Sequence, residues 1–292
     1  MLHADPRHLS FGPLIRRLRR IIVDIFMDLS SDLKISPIET LLLRILAGVE
    51  CDSDKLRGLA ALDAVSFAKA IGHLRSAKLV QMIRSPVDRR RRVYTLTDQG
   101  RSTAIAVTHI AEQAGDLFLQ YLSPRDKALF MRLFTKFTLA HAVNGAVPQD
   151  PNIATHMYGR LDPGTLLRRA RQISVDFFVL ECGRFDISPI ETGAVDLIGI
   201  YEPLAIKDLP KLLDVNRGSA FSVVAKLVKM NLLSEEHRTK RLLMLSQTGR
   251  NLRSEMMSAI AKVEVRMMRV LTRAEQASLN RLMRRIYVSH QG

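Results

Sequence analysis

Displaced by 152 residues, the chain lies over itself: residues 14–40 align with residues 166–192, and 14 of those 27 positions are identical. The identities include the unbroken run Ile35-Ser36-Pro37-Ile38-Glu39-Thr40 over Ile187-Ser188-Pro189-Ile190-Glu191-Thr192. Solenoid and propeller repeats run at about 20 to 50 residues, so a period this long makes each copy a whole domain. Between the copies, residues 141–164 hold three Pro and three Gly and lose apolar periodicity, which marks a linker. The expected organisation is a first lobe over 10–143, a linker over 144–160 and a second lobe over 161–290.

Each lobe opens on apolar residues at three- and four-residue spacing, Leu14, Leu18, Ile21, Ile25 and Leu29 in one, Leu166, Ala170, Ile173, Phe177 and Leu180 in the other, which predicts an amphipathic helix. The shared Ser-Pro-Ile-Glu predicts a helix start, with serine as N-cap, proline at the first turn and glutamate closing a capping box. Ser123-Pro124-Arg125-Asp126 and Thr272-Arg273-Ala274-Glu275 open a final helix in each lobe. Between these ends the first lobe reads as two short helices, near 54–62 and 66–78, then a basic β-prone segment, 79–97, that stops at Gly100. Two short helices followed by a basic hairpin outline a winged helix-turn-helix. The expected fold is mainly α, with tandem winged helix-turn-helix lobes, long terminal helices that pair the lobes within the chain, and an approximate two-fold relation.

Charge restricts the partners. The 44 Lys+Arg outnumber the 29 Asp+Glu, giving a formal net charge of +15, which attracts polyanions such as nucleic acid. No run of eighteen apolar residues and no signal-peptide pattern occurs, so a cytoplasmic protein without membrane association is expected. The two cysteines, Cys51 and Cys182, are too few for a disulfide framework. The sequence contains no His-Glu-x-x-His, Cys-x-x-Cys or glycine-rich phosphate loop, so neither catalysis, nor a metal, nor a cofactor is expected.

Leu79-Val80, then Asp88-Arg89-Arg90, then Val93-Tyr94-Thr95-Leu96-Thr97-Asp98-Gln99-Gly100 resembles the wing signature of the MarR family of bacterial regulators. Leu62-Asp63 with Ser66, Lys69 and Leu74 is similar to the family's recognition helix, and Ile35-Ser36-Pro37 with Leu42, Leu43 and Leu46 to its second helix. The second lobe keeps Val215, Arg217, Ser219, Ser222 and Leu227, and Leu245-Ser246-Gln247-Thr248-Gly249 at the hairpin exit. Its wing departs: Leu232 to Leu245 spans 13 positions where Leu79 to Leu96 spans 17.

The residues expected to contact double-stranded DNA are Ser66, Lys69 and His73 on the first recognition helix and Asp88, Arg89, Arg90 and Arg91 on its wing. Their counterparts are Arg217, Ser219, Ser222 and Lys226 on the second recognition helix, with Arg238 and Lys240 on its wing. Consecutive guanidinium groups on a hairpin require anionic partners before they can be desolvated, and phosphates or a narrow minor groove supply them. Asp88 is expected to hold Arg90 in a bidentate pair. From the resemblance come a small aromatic effector lodged near Phe26 or Phe178, and oxidant sensing at Cys182; core packing is the competing reading of each. Cys51 reads as a turn residue.

The function expected is a transcriptional regulator, a repressor by default, that reads an imperfect inverted repeat with two unequal lobes. A replication initiator of the plasmid type, built from tandem winged helices, and a protein-interaction scaffold that has lost DNA binding are the alternatives.

Overall fold

The computed structural model describes residues 10–60, 62–85, 88, 90–141, 162–234 and 242–291. The expected linker, Arg89, Arg238 and Lys240 lie outside them. The chain divides into two units that are discontinuous in sequence. The first unit comprises Leu18–Ala170 with Ala277–Gly292, the second Met1–Arg17 with Arg171–Gln276. Three helices are therefore divided between units.

The first unit contains most of α1 (Phe11–Leu29), then α2 (Pro37–Gly48), α3 (Ser53–Ala60), α4 (Ala64–Ser76), β1 (Val80–Arg84), β2 (Arg92–Leu96), α5 (Asp98–Phe118) and α6 (Pro124–Ala140). It also takes the start of α7 (Pro163–Cys182) and most of α12 (Arg273–Ser289). The second unit holds the rest of α7, then α8 (Pro189–Tyr201), β3 (Leu204–Ala205), α9 (Leu209–Leu213), α10 (Arg217–Lys229), β4 (Leu242–Leu243) and α11 (Gln247–Met268).

Local chemistry sets the helix starts. Ser36 and Ser188 each form a complete capping box with the glutamate three residues on, satisfying two orphan N–H groups apiece. Asp63 and Asn216 cap α4 and α10 by accepting from the N–H of Ser66 and Ser219, both at 2.8 Å. Lys34 and Asp186, and Lys78 and Asn231, take left-handed backbone at φ between 49° and 58°, so the turns before α2 and α8, and those after α4 and α10, recur in both copies.

The first unit's core is formed by Leu42, Leu43, Leu56, Phe67, Ile71, Leu74, Leu96 and Val107, from α2 through α5. Strands β1 and β2 pair antiparallel from Val80 with Leu96 to Arg84 with Arg92. Cys51 is no turn residue. It is buried and bridges to Tyr94, whose N–H donates to the Cys51 carbonyl at 2.8 Å, and burial pushes its thiol up to about 12. In the second unit Leu204 pairs with Leu243, and Leu233 bridges to Leu245.

The base of each hairpin is built the same way. Thr97 N–H donates to Leu79 O and Ser246 N–H to Leu232 O, at 3.1 and 3.0 Å. Thr97 Oγ1 donates to Lys78 O and Ser246 Oγ to Asn231 O, both at 2.7 Å. A Cβ on Gly100 would lie 1.9 Å from Leu79 O, and one on Gly249 2.2 Å from Leu232 O, so only glycine permits this approach. That explains why both hairpin exits end in glycine.

Candidate nucleic-acid interface and ligand cavity

Helix α4 buries Phe67, Ala70, Ile71 and Leu74, and this 3.6-residue period turns Val65, Lys69 and His73 outward. Helix α10 buries Ala220, Val223, Val224 and Leu227 and exposes Arg217, Phe221 and Ser222. Several candidates already have intramolecular partners. Ser66 Oγ donates to Asp63 Oδ2 at 2.7 Å, and Ser222 Oγ to Gly218 O at 3.1 Å. His73 Nδ1 sits 2.5 Å from Glu39 Oε1, and its counterpart Lys226 donates to Glu191 Oε2 at 3.0 Å. Helices α4 and α10 are thus each tied to the capping-box carboxylate of the helix two before them. Burial alone would raise the Glu191 carboxyl, but the Ser188 N–H and the Lys226 ammonium outweigh it and hold the group below its ordinary range.

On the wing, Asp88 Oδ1 accepts from the backbone N–H of Arg90 at 3.0 Å, an Asx turn in place of the expected pair with the guanidinium. Arg91 Nη2 donates to Asp52 Oδ2 at 2.5 Å, drawing the hairpin toward the start of α3. Arg90, Arg91 and Arg92 are exposed. Two exposed apolar groups escaped the sequence reading: Val65, 80 % exposed, and Phe221, with the Arg217 guanidinium 5.7 Å from its ring centre. Solvent-facing apolar residues at the start of a recognition helix were the available signal.

The helices before the recognition helices end on buried arginines. Arg17, 2 % exposed, donates through Nη2 to Leu212 O at 2.5 Å, and Arg16 to Asp214 O at 3.2 Å, at the end of α9. Arg169 donates to Leu59 O at 3.3 Å and Arg168 to Ala60 O at the end of α3. A cation is favoured at a helix C-terminus, where the last carbonyls lack intrahelical partners. Burial, then Arg169 and Arg19, lower Arg168 to about 10.

A cavity of about 510 Å³ opens in the second unit. Apolar side chains from α7, α8 and α11 line it, including Val175, Phe178, Leu197, Ile260 and Val263. Thr192 is among its lining residues, and its hydroxyl, like that of its repeat mate Thr40, is buried without a hydrogen-bond partner among the described residues. Repeat mates of Val175, Phe178, Thr192, Ile260 and Val263 line a cleft of only about 60 Å³ in the first unit, where Phe26 packs on Ala111 and Ala114. Phe26 and Phe178 thus occupy matched positions, one in a near-closed cleft and one in an open cavity. Cys182 is fully buried against Ala259 and Val263, and burial, then Glu181, raises its thiol, which disfavours thiolate chemistry.

Solved structures that resemble parts of the chain are winged-helix regulators described as MarR or MarR family proteins, together with other transcriptional regulators. A MarR family protein of Mycobacterium tuberculosis solved in complex with DNA is 16% identical, over 45% of this chain and 98% of its own, with a TM-score of 0.38. BpsR of Bordetella bronchiseptica, whose DNA binding is described as regulated by 6-hydroxynicotinic acid, is 26% identical over 40% and 84%, at 0.37. The PcaV regulator of Streptomyces coelicolor, with its natural ligand, is 25% identical over 49% and 99%, at 0.40. No protein-family model and no curated protein sequence matches the chain. Among the described residues no helix is long and apolar enough to cross a membrane.

Proposed function

We propose that this chain is a DNA-binding transcriptional regulator whose two winged helices read the unequal halves of an imperfect inverted repeat, most simply as a repressor. The observation that carries the reading is the pairing, in the first unit, of an exposed helix face bearing Lys69 with a hairpin bearing exposed Arg90, Arg91 and Arg92, in a chain of net charge +15. Helix α4 is of a size to enter a major groove while the arginines meet phosphates or the minor groove. The two halves are unequal because Val65, Lys69 and a four-residue-longer hairpin in one copy face Gly218, Ser222 and a short hairpin in the other. The two copies act as a pair within one polypeptide, with half-sites about 10 base pairs apart.

The 510 Å³ cavity supports a small-molecule effector, since its volume falls in the range of ordinary ligand pockets, about 300 to 1,000 Å³. Arg16, Arg17 and Leu213 belong both to its wall and to the contact that ends α9, the helix before recognition helix α10. Occupancy therefore acts on the element that positions α10.

The test is a gel shift against DNA flanking the chain's own gene, at rising salt, for wild type, Arg90→Ala and Arg217→Ala. The reading requires a specific shift that weakens steeply with salt and that both substitutions reduce. Absence of any specific shift favours a protein scaffold instead.

A further inference from the structure

We infer that the chain takes up one small molecule, in the second unit alone, because the matched cleft of the first unit is shut by its own side chains. The inference deepens the effector reading above and rests on it only for the link to DNA. Every wall position of the smaller cleft has its repeat mate in the wall of the larger, yet the volumes are about 510 and 60 Å³. Four substitutions between the copies act in that direction, against Ala111 and Ala114, whose mates Ile260 and Val263 are larger.

Arg44 forms an ion pair with Asp162, and both side chains are largely buried at the wall of the small cleft. Asp162 is held there by accepting from Thr165 N–H at 3.0 Å and Thr165 Oγ1 at 2.8 Å. The mates of this pair are Asp196 and Ser10, which cannot form it. Asp196 instead binds Arg253 at 2.9 and 3.1 Å. Leu41 is replaced by Gly193, where an added Cβ would meet only Leu213, at 3.6 Å, and Ile22 by Ser174. The first cleft is thus bolted and filled, and the second emptied by the loss of a leucine and an isoleucine side chain.

The open cavity also specifies a ligand class. Its wall is mostly apolar, and the exposed guanidinium of Arg171 stands at the wall without an ion pair among the described residues. An apolar body with one anionic group satisfies both.

The probe is anilinonaphthalene sulfonate, titrated by fluorescence and calorimetry against the full chain without DNA, with folding checked by circular dichroism. One dye per chain is expected. Gly193→Leu, which restores the residue of the other copy, should abolish binding. Arg171→Ala should weaken it at least fivefold with the stoichiometry unchanged, and Arg44→Ala should add a second, weaker site. Two sites in the wild type, no saturable site, or one site indifferent to both Gly193→Leu and Arg171→Ala would overturn the inference. If Gly193→Leu does not fold, Gly193→Val replaces it and must weaken binding at least threefold. One dye per chain in a protein that shifts no DNA would leave this inference standing and remove the regulator reading.

Discussion

The imidazole of His73 lies 2.5 Å from Glu39 Oε1, so the carboxylate that closes the capping box of α2 also grips the middle of recognition helix α4. Lys226 and Glu191 repeat the contact at 3.0 Å. One glutamate per copy therefore performs a local task, capping, and a tertiary one, fixing the roll of a second helix. His73→Ala should lower stability by about 0.5–1 kcal/mol, because the histidine end of the pair is half exposed. Circular dichroism melts measure this, and an unchanged melting temperature would remove the structural role.

Acid should loosen the second unit through Glu191. Its carboxyl is held below the ordinary value near 4.5, so folding keeps it ionised more readily than unfolding does. The stabilisation is complete above that ordinary value and is lost as pH falls through the lower folded-state value. Melting temperature measured from pH 7 down to 3 should stay level and then fall, and Lys226→Met should move the fall to higher pH. Identical profiles for the two proteins would contradict this.

Removing the Arg17 guanidinium leaves the Leu212 carbonyl buried without its charged donor. Arg17→Met, which keeps the aliphatic stem, should cost about 2 kcal/mol in a denaturant titration. The same change at exposed Arg20 should cost under about 0.5 kcal/mol.

Glycines separate by geometry. Gly100→Ala forces a methyl to 1.9 Å from Leu79 O and should cost about 3 kcal/mol or more. Gly72→Ala, with open space around its Cβ inside α4, should stabilise by up to about 1 kcal/mol. A melt of each variant decides both signs.

Apolar and cationic groups on the recognition helices should act differently on DNA. Lys69→Ala should weaken binding to all sequences and reduce the slope of log affinity against log salt by about 1. Val65→Ala and Phe221→Ala should change base preference, chiefly for thymine, and leave that slope unaltered. Affinities for a panel of single-base operator variants at two salt concentrations would show it.

Short-range signals were legible without coordinates: the repeat, the serine caps with their prolines and glutamates, the alternation that makes β1 and β2, and the glycine after each hairpin. Their chemistry is complete within a few residues, so pattern suffices. Contacts across long stretches of chain were not. His73 and Lys226 read as outward basic residues because sequence spacing gives the helix face but not the carboxylate 34 or 35 residues earlier that meets it. Asp88 accepts from the backbone N–H of Arg90, a choice spacing leaves open, since a carboxylate two residues before an arginine can reach its backbone or its guanidinium, and only the turn decides which.

Sequence by itself determined that one stretch of the chain repeats another and where the helices and the hairpins begin. Tertiary structure decided that each compact unit combines segments far apart in sequence, so that Arg17 and Arg169 each meet the end of a helix distant along the chain. It also decided that matched clefts differ in volume. A cavity is what remains after packing, and the Arg44–Asp162 pair that closes one of them joins residues 118 positions apart.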